Sequence, residues 1–519
     1  MWWSPLVLCV WMGCGPVLDR TIEQDALARI EREDLRAHGS LLADDSMAGR
    51  SAGSEGGRRA GDYIAERMRT LGLEPAGPDG SWFQEVPFVD AVSLTTTSLL
   101  RVRIQEEWVS LELGRDATAY GWGGNGRFNA PMVFAGYGIS SQSPQYDDYA
   151  GVDVRDRVVL VLTGGPRLGD PEGPFGKDRS DHSVLAKARR AQNLGAVALL
   201  VISDPLRNDG DGDLLTGLGG PGPKVDIPVL HVKRWLGERI LKGRSGGLLA
   251  WQEKIERSFR PDSADLSSVH CEGRIQIRRV QKTTRNVMGM LKGRDRSRKN
   301  EVLLLGAHYD AIGRGRFGSR TPVPGGRVHN GADDNASGVA SLLELAEALC
   351  GLPRSPRRSL LFVFFGAEER GLIGSTYYVE HPVVPLEQTV VMVNLDMIGQ
   401  GPVGRLGVCG VGTARGFEGL LRSQARKSGM RLVMARSGMA PTDSRPFYQR
   451  EVPVLFFSTG LHDRYHTVLD DWEWIDLEAC RVATRFVFGV VWHLAEVRSR
   501  YRYQAGEGVD YLKVLRMNR

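Results

Sequence analysis

The stretch LLFVFFGAEE (residues 360–369) joins an unbroken apolar run to two adjacent acidic residues. An apolar run of six residues without alternation is typical of a strand that is buried on both faces of a sheet. A charged group in such surroundings costs free energy unless a partner compensates for it. The sequence therefore predicts that Glu368 and Glu369 lie at the end of a buried strand and interact with a group that needs two carboxylates.

Three more apolar runs in the second half of the chain lead into acidic residues or histidines. The residues in question are His308 and Asp310 after VLLLGA, Asp396 after VVMVNL, and His462 and His466 after VPVLFFSTGL. In open α/β sheets, ligands bind at the carboxyl ends of the strands, so we expect these side chains to meet in one crevice. A polar residue commonly ends a strand, but four endings that are all acidic or histidine are hard to explain by packing alone.

A fifth element, HNGADDNASGVASLLELAEAL (329–349), combines an acidic turn with a helix. The apolar face of that helix consists of Val339, Leu342, Leu343, Ala346 and Leu349. The turn places Asp333 or Asp334 at the N-terminus of the helix, where a carboxylate can act as a simple cap. Beside the four strand endings, the same carboxylate also becomes a candidate ligand.

These residues together predict a metal site. Two histidines and three carboxylates, without cysteine, suit zinc first and manganese or cobalt as substitutes. Five ligands exceed the needs of one closed tetrahedral ion. They suit two ions that share one bridging carboxylate and hold a hydroxide between them, about 3.5–4 Å apart.

Composition sets the general class of the protein. The 519 residues are enough for roughly two to four domains, and the 42% apolar and 25% charged contents are those of an ordinary globular protein. The net charge of +5 gives no reason to expect a nucleic-acid partner. The six cysteines show no CxxC or other metal-ligand spacing, which leaves disulfides and buried thiols both open.

The first residues, MWWSPLVLCVWMGCG, form a short apolar stretch that ends in small residues. Its length suits the core of a secretion signal and is too short for a membrane-spanning helix. Gly13–Cys14 also resembles the end of a bacterial lipoprotein signal, although no basic residue precedes the apolar core. We therefore expect export to the periplasm, the outer membrane or the medium, with membrane attachment only through a lipidated Cys14.

The pattern of apolar and polar residues changes several times along the chain. From about residue 270 onward, apolar strands alternate with amphipathic helices, which predicts an α/β fold with a mostly parallel, mixed sheet flanked by helices. An earlier block contains the strand-like runs RVVLVL, VALLVI and VDIPVLHV. The predicted segments are a signal peptide at 1–20, an N-terminal part of the main domain at 21–127, an inserted block at 128–262, the main domain at 263–500, and a basic, irregular tail at 501–519.

The sequence closely resembles the secreted di-zinc aminopeptidases, metallopeptidase family 28, which are related to glutamate carboxypeptidase and the transferrin receptor. The resemblance covers residues 48–75, 284–293 and nearly everything from 302 to 476, with all five ligand motifs in the family's order. It implies the phosphorylase/hydrolase-like fold of the zinc aminopeptidases. It also implies that residues 128–262 form an inserted, β-rich protease-associated domain that caps the active-site cleft.

The resemblance assigns a role to each site residue. It implies that one zinc ion is held by His308, Asp334 and Asp396, and the other by Asp334, Glu369 and His466. The resemblance implies that Asp334, rather than Asp333, would be the bridging acid, because the family's bridging residue immediately precedes the segment that reads NASG here. Asp310 would orient His308, as metal-bound imidazoles usually require.

The implied reaction is hydrolysis of peptide bonds at the N-terminus of peptide substrates. Glu368 would act as the general base that takes a proton from the attacking water and passes it to the leaving amine. Tyr465 would stabilise the developing oxyanion. The family often has a histidine after the aspartate of an SDH-like segment, whereas this chain reads PTDSRPF (441–447), so a substrate contact by Asp443 or Ser444 stays open.

Other functions remain as alternatives. A carboxypeptidase of the glutamate carboxypeptidase type would use the same chemistry, and the motifs do not distinguish a free amine from a free carboxylate in the pocket. A catalytically inactive homologue like the transferrin receptor is disfavoured by the complete ligand set and by Glu368. Glutaminyl cyclases share the fold but use a single metal. The oligomeric state and the preferred terminal residue are open.

Overall fold

The structure is a computed structural model that describes residues 20–167, 170, 173–175, 182–206, 213–219, 224–242, 246–315, 317–321, 326–506 and 508–518. The predicted signal peptide with Cys14 lies outside these residues, apart from residue 20. The described chain forms two compact units. The first combines the residues up to Pro87 with those from Thr283 onward, and the second runs from Phe88 to Lys282.

Helices and strands alternate along most of the described chain. The α-helices are α1 (Arg20–Ala28), α2 (Arg32–Leu42), α3 (Glu55–Thr70), α4 (Val184–Asn193), α5 (Arg234–Leu241), α6 (Leu248–Ser258), α7 (Gly338–Cys350), α8 (Ile373–Glu380), α9 (Phe417–Ser428), α10 (Ser444–Tyr448), α11 (Leu477–Glu496) and α12 (Leu512–Leu515). Short 3₁₀ turns span Asp45–Arg50, Pro78–Gly80, Leu386–Gln388 and Trp472–Trp474. A distorted helical turn, Ala332–Ser337, leads directly into α7.

The strands belong to two large sheets and one small hairpin. They are β1 (Glu74–Pro75), β2 (Phe83–Leu94), β3 (Leu99–Ile104), β4 (Glu107–Ser110), β5 (Ala117–Ala119), β6 (Gly126–Phe134), β7 (Ser140–Gln142), β8 (Gln145–Asp147), β9 (Val158–Leu162), β10 (Ala198–Ile202), β11 (Val229–Val232), β12 (Ala264–Ile275), β13 (Ile277–Leu291), β14 (Val302–His308), β15 (Ser359–Phe365), β16 (Thr389–Leu395), β17 (Arg405–Cys409), β18 (Arg431–Met434) and β19 (Val454–Ser458).

The sheet of the first unit has the order β1-β13-β15-β14-β16-β19-β17-β18, and β2 pairs with β13 beside this path. The four central strands, β15, β14, β16 and β19, are parallel neighbours. The pairs β13–β15, β1–β13 and β17–β19 are antiparallel. The predicted mixed sheet with a parallel centre is therefore confirmed, and the carboxyl ends of its central strands lie at one edge.

The central strands are buried on both faces because helices cover each side. Alternate residues of β15, such as Phe362 and Phe364, pack into a core with helices α2, α3, α7, α9 and α11. The intervening residues Leu361, Val363 and Phe365 pack with α8 and α10 on the other side. All seven residues of β15 are buried, which explains why the strand is apolar without alternation.

The second unit contains an eight-stranded sheet in the order β4-β3-β12-β6-β9-β10-β11-β5. Strands β6, β9, β10 and β11 are parallel neighbours, and the long β12 pairs antiparallel with β3 and β6. This unit is wider than the segment 128–262 that the sequence predicts. The difference arises because strands before residue 128 pair with strands after it.

The last residues differ from the irregular tail that the sequence predicts. Tyr503 forms a β-bridge with Ala414, and α12 follows close to the C-terminus. Val514 in α12 is fully buried in an apolar cluster with Cys409 and Phe456. This segment is thus a packed part of the first unit.

Two further features bear on the sequence predictions. Cys271, Cys350, Cys409 and Cys480 are all free thiols, so these four cysteines form no disulfide with one another. Within the described residues, no helix combines the length and the apolarity that crossing a bilayer requires.

Candidate metal centre

The predicted ligands come together at the carboxyl edge of the first unit's sheet. His308 is the last residue of β14, and its register partner Phe365 ends β15, only a few residues before Glu369. Asp396 directly follows β16, and the loop after β19 carries His466. Parallel pairing of these four neighbouring strands brings their carboxyl ends level, so side chains distant in sequence face the same space.

The side chains form two groups that share one aspartate. The Nε2 atom of His308 lies 3.1 Å from Oδ1 of Asp334 and 3.4 Å from Oδ1 of Asp396. The Nε2 atom of His466 lies 3.2 Å from Oδ2 of Asp334 and 3.0 Å from Oε2 of Glu369. In each group, the candidate ligand atoms all lie within 4.8 Å of one another. Asp334 therefore offers one oxygen to each group, which is the arrangement that a bridging carboxylate requires.

Asp333, the alternative bridging residue, lies outside both groups. Its carboxylate accepts hydrogen bonds from the hydroxyl of Ser337 and from the backbone N–H of Gly399, and it lies 3.2 Å from Nε2 of His462. His462 thus supports Asp333 from the loop after β19. Both residues stabilise the turn around Asp334.

The turn that carries Asp334 is held by a residue that no sequence motif indicates. The two carboxylate oxygens of Asp470 accept the backbone N–H groups of Asp333 and Asp334, each at 3.0 Å. Burial and the neighbouring Asp333 carboxylate raise the pKa of Asp470 to about 7. Because its partners are backbone groups, no side-chain motif pointed to this residue.

Asp310 fixes both His308 and the pair of glutamates. The Nδ1 atom of His308 lies 3.2 Å from the backbone carbonyl oxygen of Asp310 and 3.8 Å from its carboxylate. The carboxylate itself accepts the backbone N–H groups of Glu368 and Glu369. Orientation of His308 therefore comes chiefly from the backbone of Asp310, while its side chain holds the turn after β15.

Other polar side chains support the remaining candidate ligands. The hydroxyl of Thr442 donates to Oδ2 of Asp396 at 2.9 Å, and Asn394 donates to Thr442 in turn. Nδ1 of His466 lies 3.0 Å from the carbonyl oxygen of Gly318, which directs Nε2 toward the carboxylates. Such contacts to the second nitrogen or oxygen of a ligand are typical of metal centres.

A buried arginine ties two parts of the site together. The guanidinium of Arg50, which is fully buried, donates to the carbonyl oxygens of Leu42, Tyr309, Asn330 and Gly331. Burial lowers the pKa of Arg50 to about 10, against the attraction of Asp310 and Asp470. Arg50 thereby links the residue after His308 to the segment that precedes Asp334.

The charges of the cluster suit a cation. Burial lowers the pKa of His466, but hydrogen bonds with Asp334 and Glu369 outweigh it and raise the value to about 11. Burial also opposes protonation of His308, yet the carboxylates of Glu368 and Asp396 raise its pKa well above the usual value. Protons are thus attracted to both imidazoles by excess negative charge. A divalent ion would replace those protons, so the residues present fit a metal.

Glu368 and Tyr465 lie beside the two groups. Oε2 of Glu368 lies 4.0 Å from Nε2 of His308, and burial, together with the nearby carboxylates of Asp443 and Glu369, raises the pKa of Glu368 well above its usual value. The ring of Tyr465 stacks on that of His466 with 3.9 Å between centroids. Burial and the carboxylates of Asp334 and Glu369 raise the pKa of Tyr465, so its phenol stays a hydrogen-bond donor.

Asp443 and Ser444, whose role the sequence left open, are both buried, with 0% and 1% exposure. Burial raises the pKa of Asp443 to about 7. The carboxylate of Asp443 is one of the charges that raise the pKa of Glu368, which places it near the metal centre.

Comparison with known proteins matches each unit separately. A family model described as peptidase family M28 matches residues 286–491, and a model described as PA domain matches residues 128–240. Aminopeptidase YwaD of Bacillus subtilis is 25% identical over 374 residues, which cover 70% of this chain and 66% of the relative. The probable lipoprotein aminopeptidase LpqL of Mycobacterium tuberculosis is 27% identical over 376 residues, covering 71% of this chain and 59% of the relative.

Solved structures agree with the fold. The aminopeptidase from Aneurinibacillus sp. strain AM-1 aligns with a TM-score of 0.58 and 21% identity, over 94% of this chain and 99% of that chain. At this level of identity the likeness concerns the fold alone. It confirms the predicted α/β architecture, and the two family models confirm the predicted insertion in the first unit.

Proposed function

The chain belongs to peptidase family M28 and carries an inserted PA domain, and on this basis we propose that it is a zinc-dependent exopeptidase that removes N-terminal residues from peptides. The observation that carries the proposal is the position of Asp334. Its two carboxylate oxygens face two separate histidine–carboxylate groups at 3.1 Å and 3.2 Å. One shared acid between two such groups is the donor set for a pair of ions.

We propose two zinc ions, one held by His308, Asp334 and Asp396 and the other by Asp334, Glu369 and His466. Imidazole and carboxylate donors without thiolate suit zinc, and manganese or cobalt could take its place. When bound, zinc supplies the Lewis acidity that activates water and polarises a peptide carbonyl at neutral pH.

The chain's own groups then carry the proton transfers. Glu368 takes a proton from the attacking water at its carboxylate and donates it to the leaving amine nitrogen. Its neighbour Glu369 points to His466, so the two adjacent acids serve different partners. Asp310 keeps them apart by holding both of their backbone N–H groups.

Tyr465 is the proposed donor to the developing oxyanion. Its ring is fixed by stacking on His466, and its raised pKa keeps the hydroxyl protonated at neutral pH. A donor that is positioned before the reaction needs no reorganisation when charge develops on the carbonyl oxygen.

Aminopeptidase action is favoured over carboxypeptidase action by the relatives, since both YwaD and LpqL are named aminopeptidases. The test is an assay of the mature protein on aminoacyl-anilides and on N-blocked peptides, with zinc or with a chelator. We expect release from free-amine substrates only, abolished by the chelator and restored by zinc. Cleavage confined to N-blocked peptides with a free carboxylate would instead establish the carboxypeptidase alternative.

We also propose export and lipidation of Cys14. The apolar leader that ends in Gly13–Cys14 supports this, as does the relative LpqL, which is named a probable lipoprotein. Fractionation of cells that express the full chain should place it in membranes, and Cys14→Ser should move it to the soluble exported fraction. Retention of both forms in the cytoplasm would contradict the proposal. The capping role that the resemblance implies for the inserted unit stays a prediction.

A further inference from the structure

The C-terminal segment, defined here as residues 508–518, packs against the strand that leads into the site. Val514, fully buried, shares an apolar cluster with Phe456 of β19 and Cys409 of β17. A side chain at Gly407 of β17 would lie 2.4 Å from Val514, so glycine is needed for this close approach. The segment is therefore fitted to the central sheet.

The same segment contacts the histidine loop, defined here as residues 459–466. The carbonyl oxygen of Leu515 accepts the backbone N–H of Leu461 at 2.8 Å. The side-chain amide of Asn518 donates to the carbonyl oxygen of Thr459 at 2.7 Å and to that of Gln400 at 3.4 Å. Three backbone groups at or beside the start of the loop thus find their partners in the last residues of the chain.

A glycine in the loop shows how closely the two segments fit. Gly460 has a φ of +89°, a conformation that favours glycine. A Cβ atom at this position would lie 2.7 Å from Cγ of Met517 and 3.0 Å from the carbonyl oxygen of Val514. The C-terminal segment occupies the space that a side chain would need.

A second anchor holds the segment at its other end. The carboxylate of Asp510 accepts the backbone N–H groups of Arg436 and Ser437 at 2.9 Å and 3.0 Å. The segment is therefore attached on both sides of α12. The C-terminal segment can therefore hold the histidine loop in one position.

The loop in turn carries the groups of the proposed reaction. Five residues after Leu461 comes His466, whose Nε2 faces Asp334 and Glu369. Tyr465 stacks on His466. By contrast, His308 ends β14 and Asp396 follows β16, and the C-terminal segment reaches the loop after Asp396 only through the long contact of Asn518 with Gln400, among the hydrogen bonds of the described residues.

We propose that the C-terminal segment, through Asn518 and the carbonyl of Leu515, is a positioning element for His466 and Tyr465. The effect of this segment on catalysis rests on the proposed function. Its effect on zinc affinity can be measured separately. Loosening the loop should weaken the group of Asp334, Glu369 and His466 and leave the group of His308, Asp334 and Asp396 intact.

The test is a stepwise zinc titration of the metal-free full-length protein, in which calorimetry measures the heat of each binding step. Asn518→Ala should weaken one of two binding steps by about tenfold, the range seen when a residue that supports a ligand is lost. The other step should keep its affinity. Arg516→Ala, at an exposed position of the same segment, is the matched control and should leave both steps unchanged.

Kinetics provide a second readout. In limiting zinc, Asn518→Ala should lower kcat with little change in KM, and excess zinc should restore kcat. Deletion of residues 511–519 should enlarge the same effect if the shortened chain folds. Two unchanged steps in Asn518→Ala, or an equal loss in both steps, would overturn the inference. Absence of any zinc binding by the unaltered protein would instead contradict the proposed function.

Discussion

One carboxylate oxygen of Asp310 accepts the backbone N–H of Glu368 at 3.0 Å, and the other accepts that of Glu369 at 3.3 Å. Ala367, just before them, has a left-handed φ of 60°. These two hydrogen bonds therefore stabilise a sharp turn in which the side chains of Glu368 and Glu369 interact with different groups. The same bonds couple the loop after β14 to the loop after β15.

Substitution of Asp310 should disturb this turn. In Asp310→Asn, an NH₂ group would replace one acceptor and face a backbone donor. We expect kcat/KM to fall by about 10- to 100-fold, as is common when a residue that supports a metal site is lost. Steady-state kinetics and zinc content measure the effect. Glu380→Gln, an exposed change at the end of α8, is the control, and equal kinetics for the two variants would refute the role of Asp310.

The two adjacent glutamates should behave differently when each is changed. Glu368→Gln should retain zinc but lose about 10²- to 10⁴-fold in kcat, because the proton acceptor is removed. Glu369→Gln should lose zinc, because its carboxylate lies 3.0 Å from Nε2 of His466 within one candidate group. Metal analysis of both purified variants separates the roles. Loss of zinc from Glu368→Gln alone would show that the assignments are exchanged.

Glu344, buried in α7, should make stability depend on pH. One oxygen accepts the backbone N–H of Glu31 at 3.1 Å, and the other lies 3.7 Å from Nε2 of His38. Burial raises the pKa of Glu344 from 4.5 to about 8, so the folded state holds this proton more tightly than the unfolded state. The stabilisation that protonated Glu344 contributes to the folded state is fully present below pH 4.5. The free energy of unfolding then falls as the pH rises toward 8, by up to about 1.4 kcal/mol per pH unit.

Glu344→Gln, which mimics the protonated acid, should remove that dependence. We expect the variant to melt at a higher temperature than the unaltered protein at pH 8 and at a similar temperature near pH 4.5. Thermal unfolding across this range is the measurement. Glu380→Gln, exposed at the end of α8, is the control. A difference in melting temperature that stays constant with pH would disprove the assignment.

Substitution of Arg50 should destabilise the first unit more than substitution of most other residues. Its guanidinium supplies hydrogen bonds to four backbone carbonyl oxygens, and Arg50→Met would leave these acceptors without their donor. We expect the free energy of unfolding to fall by about 3 kcal/mol or more. Arg59→Met is the control, since Arg59 is exposed and donates to the backbone carbonyl oxygen of Ser46. Denaturant unfolding that is alike for both variants would contradict this role.

Zinc should stabilise the folded chain. The two candidate groups bring buried carboxylates together, and an ion that binds only the folded state adds about 2.7 kcal/mol when its concentration is 100 times Kd. Thermal unfolding with chelator and with zinc should therefore differ by several degrees. Asp334→Asn should abolish the difference, because both groups share that residue. A zinc-induced shift that survives in Asp334→Asn would place the ion elsewhere.

Much of the central fold could be predicted because its signals are periodic or continuous. The run 302–308 became β14 with His308 as its last residue, and 360–365 became most of β15. In the segment 55–75, where Tyr63, Ile64, Met68 and Leu71 recur at helical spacing, helix α3 begins at Glu55 and ends at Thr70, shortly before Gly72 with its φ of 77°. Parallel pairing then brought the strand ends level, which the sequence pattern had predicted.

The supporting residues could not be predicted in the same way. Arg50, Asp470 and Asn518 all bind backbone N–H or C=O groups, which are the same in every sequence and leave no motif. The packed C-terminal segment was missed because α12 has only four residues, too few for an amphipathic pattern. Its burial depends on the tertiary surface of β17 and β19, which local sequence does not encode.

The carboxylate of Asp470 accepts the backbone N–H of Asp334, a residue 136 positions earlier in the chain. A polypeptide still emerging from the ribosome can form many of its helices before Asp470 is available, but its ligand turn then has no support. Unfinished or prematurely terminated chains should therefore be inert toward peptides. We therefore expect the turn that carries Asp334 to reach its final form only after residue 470 has been added to the chain.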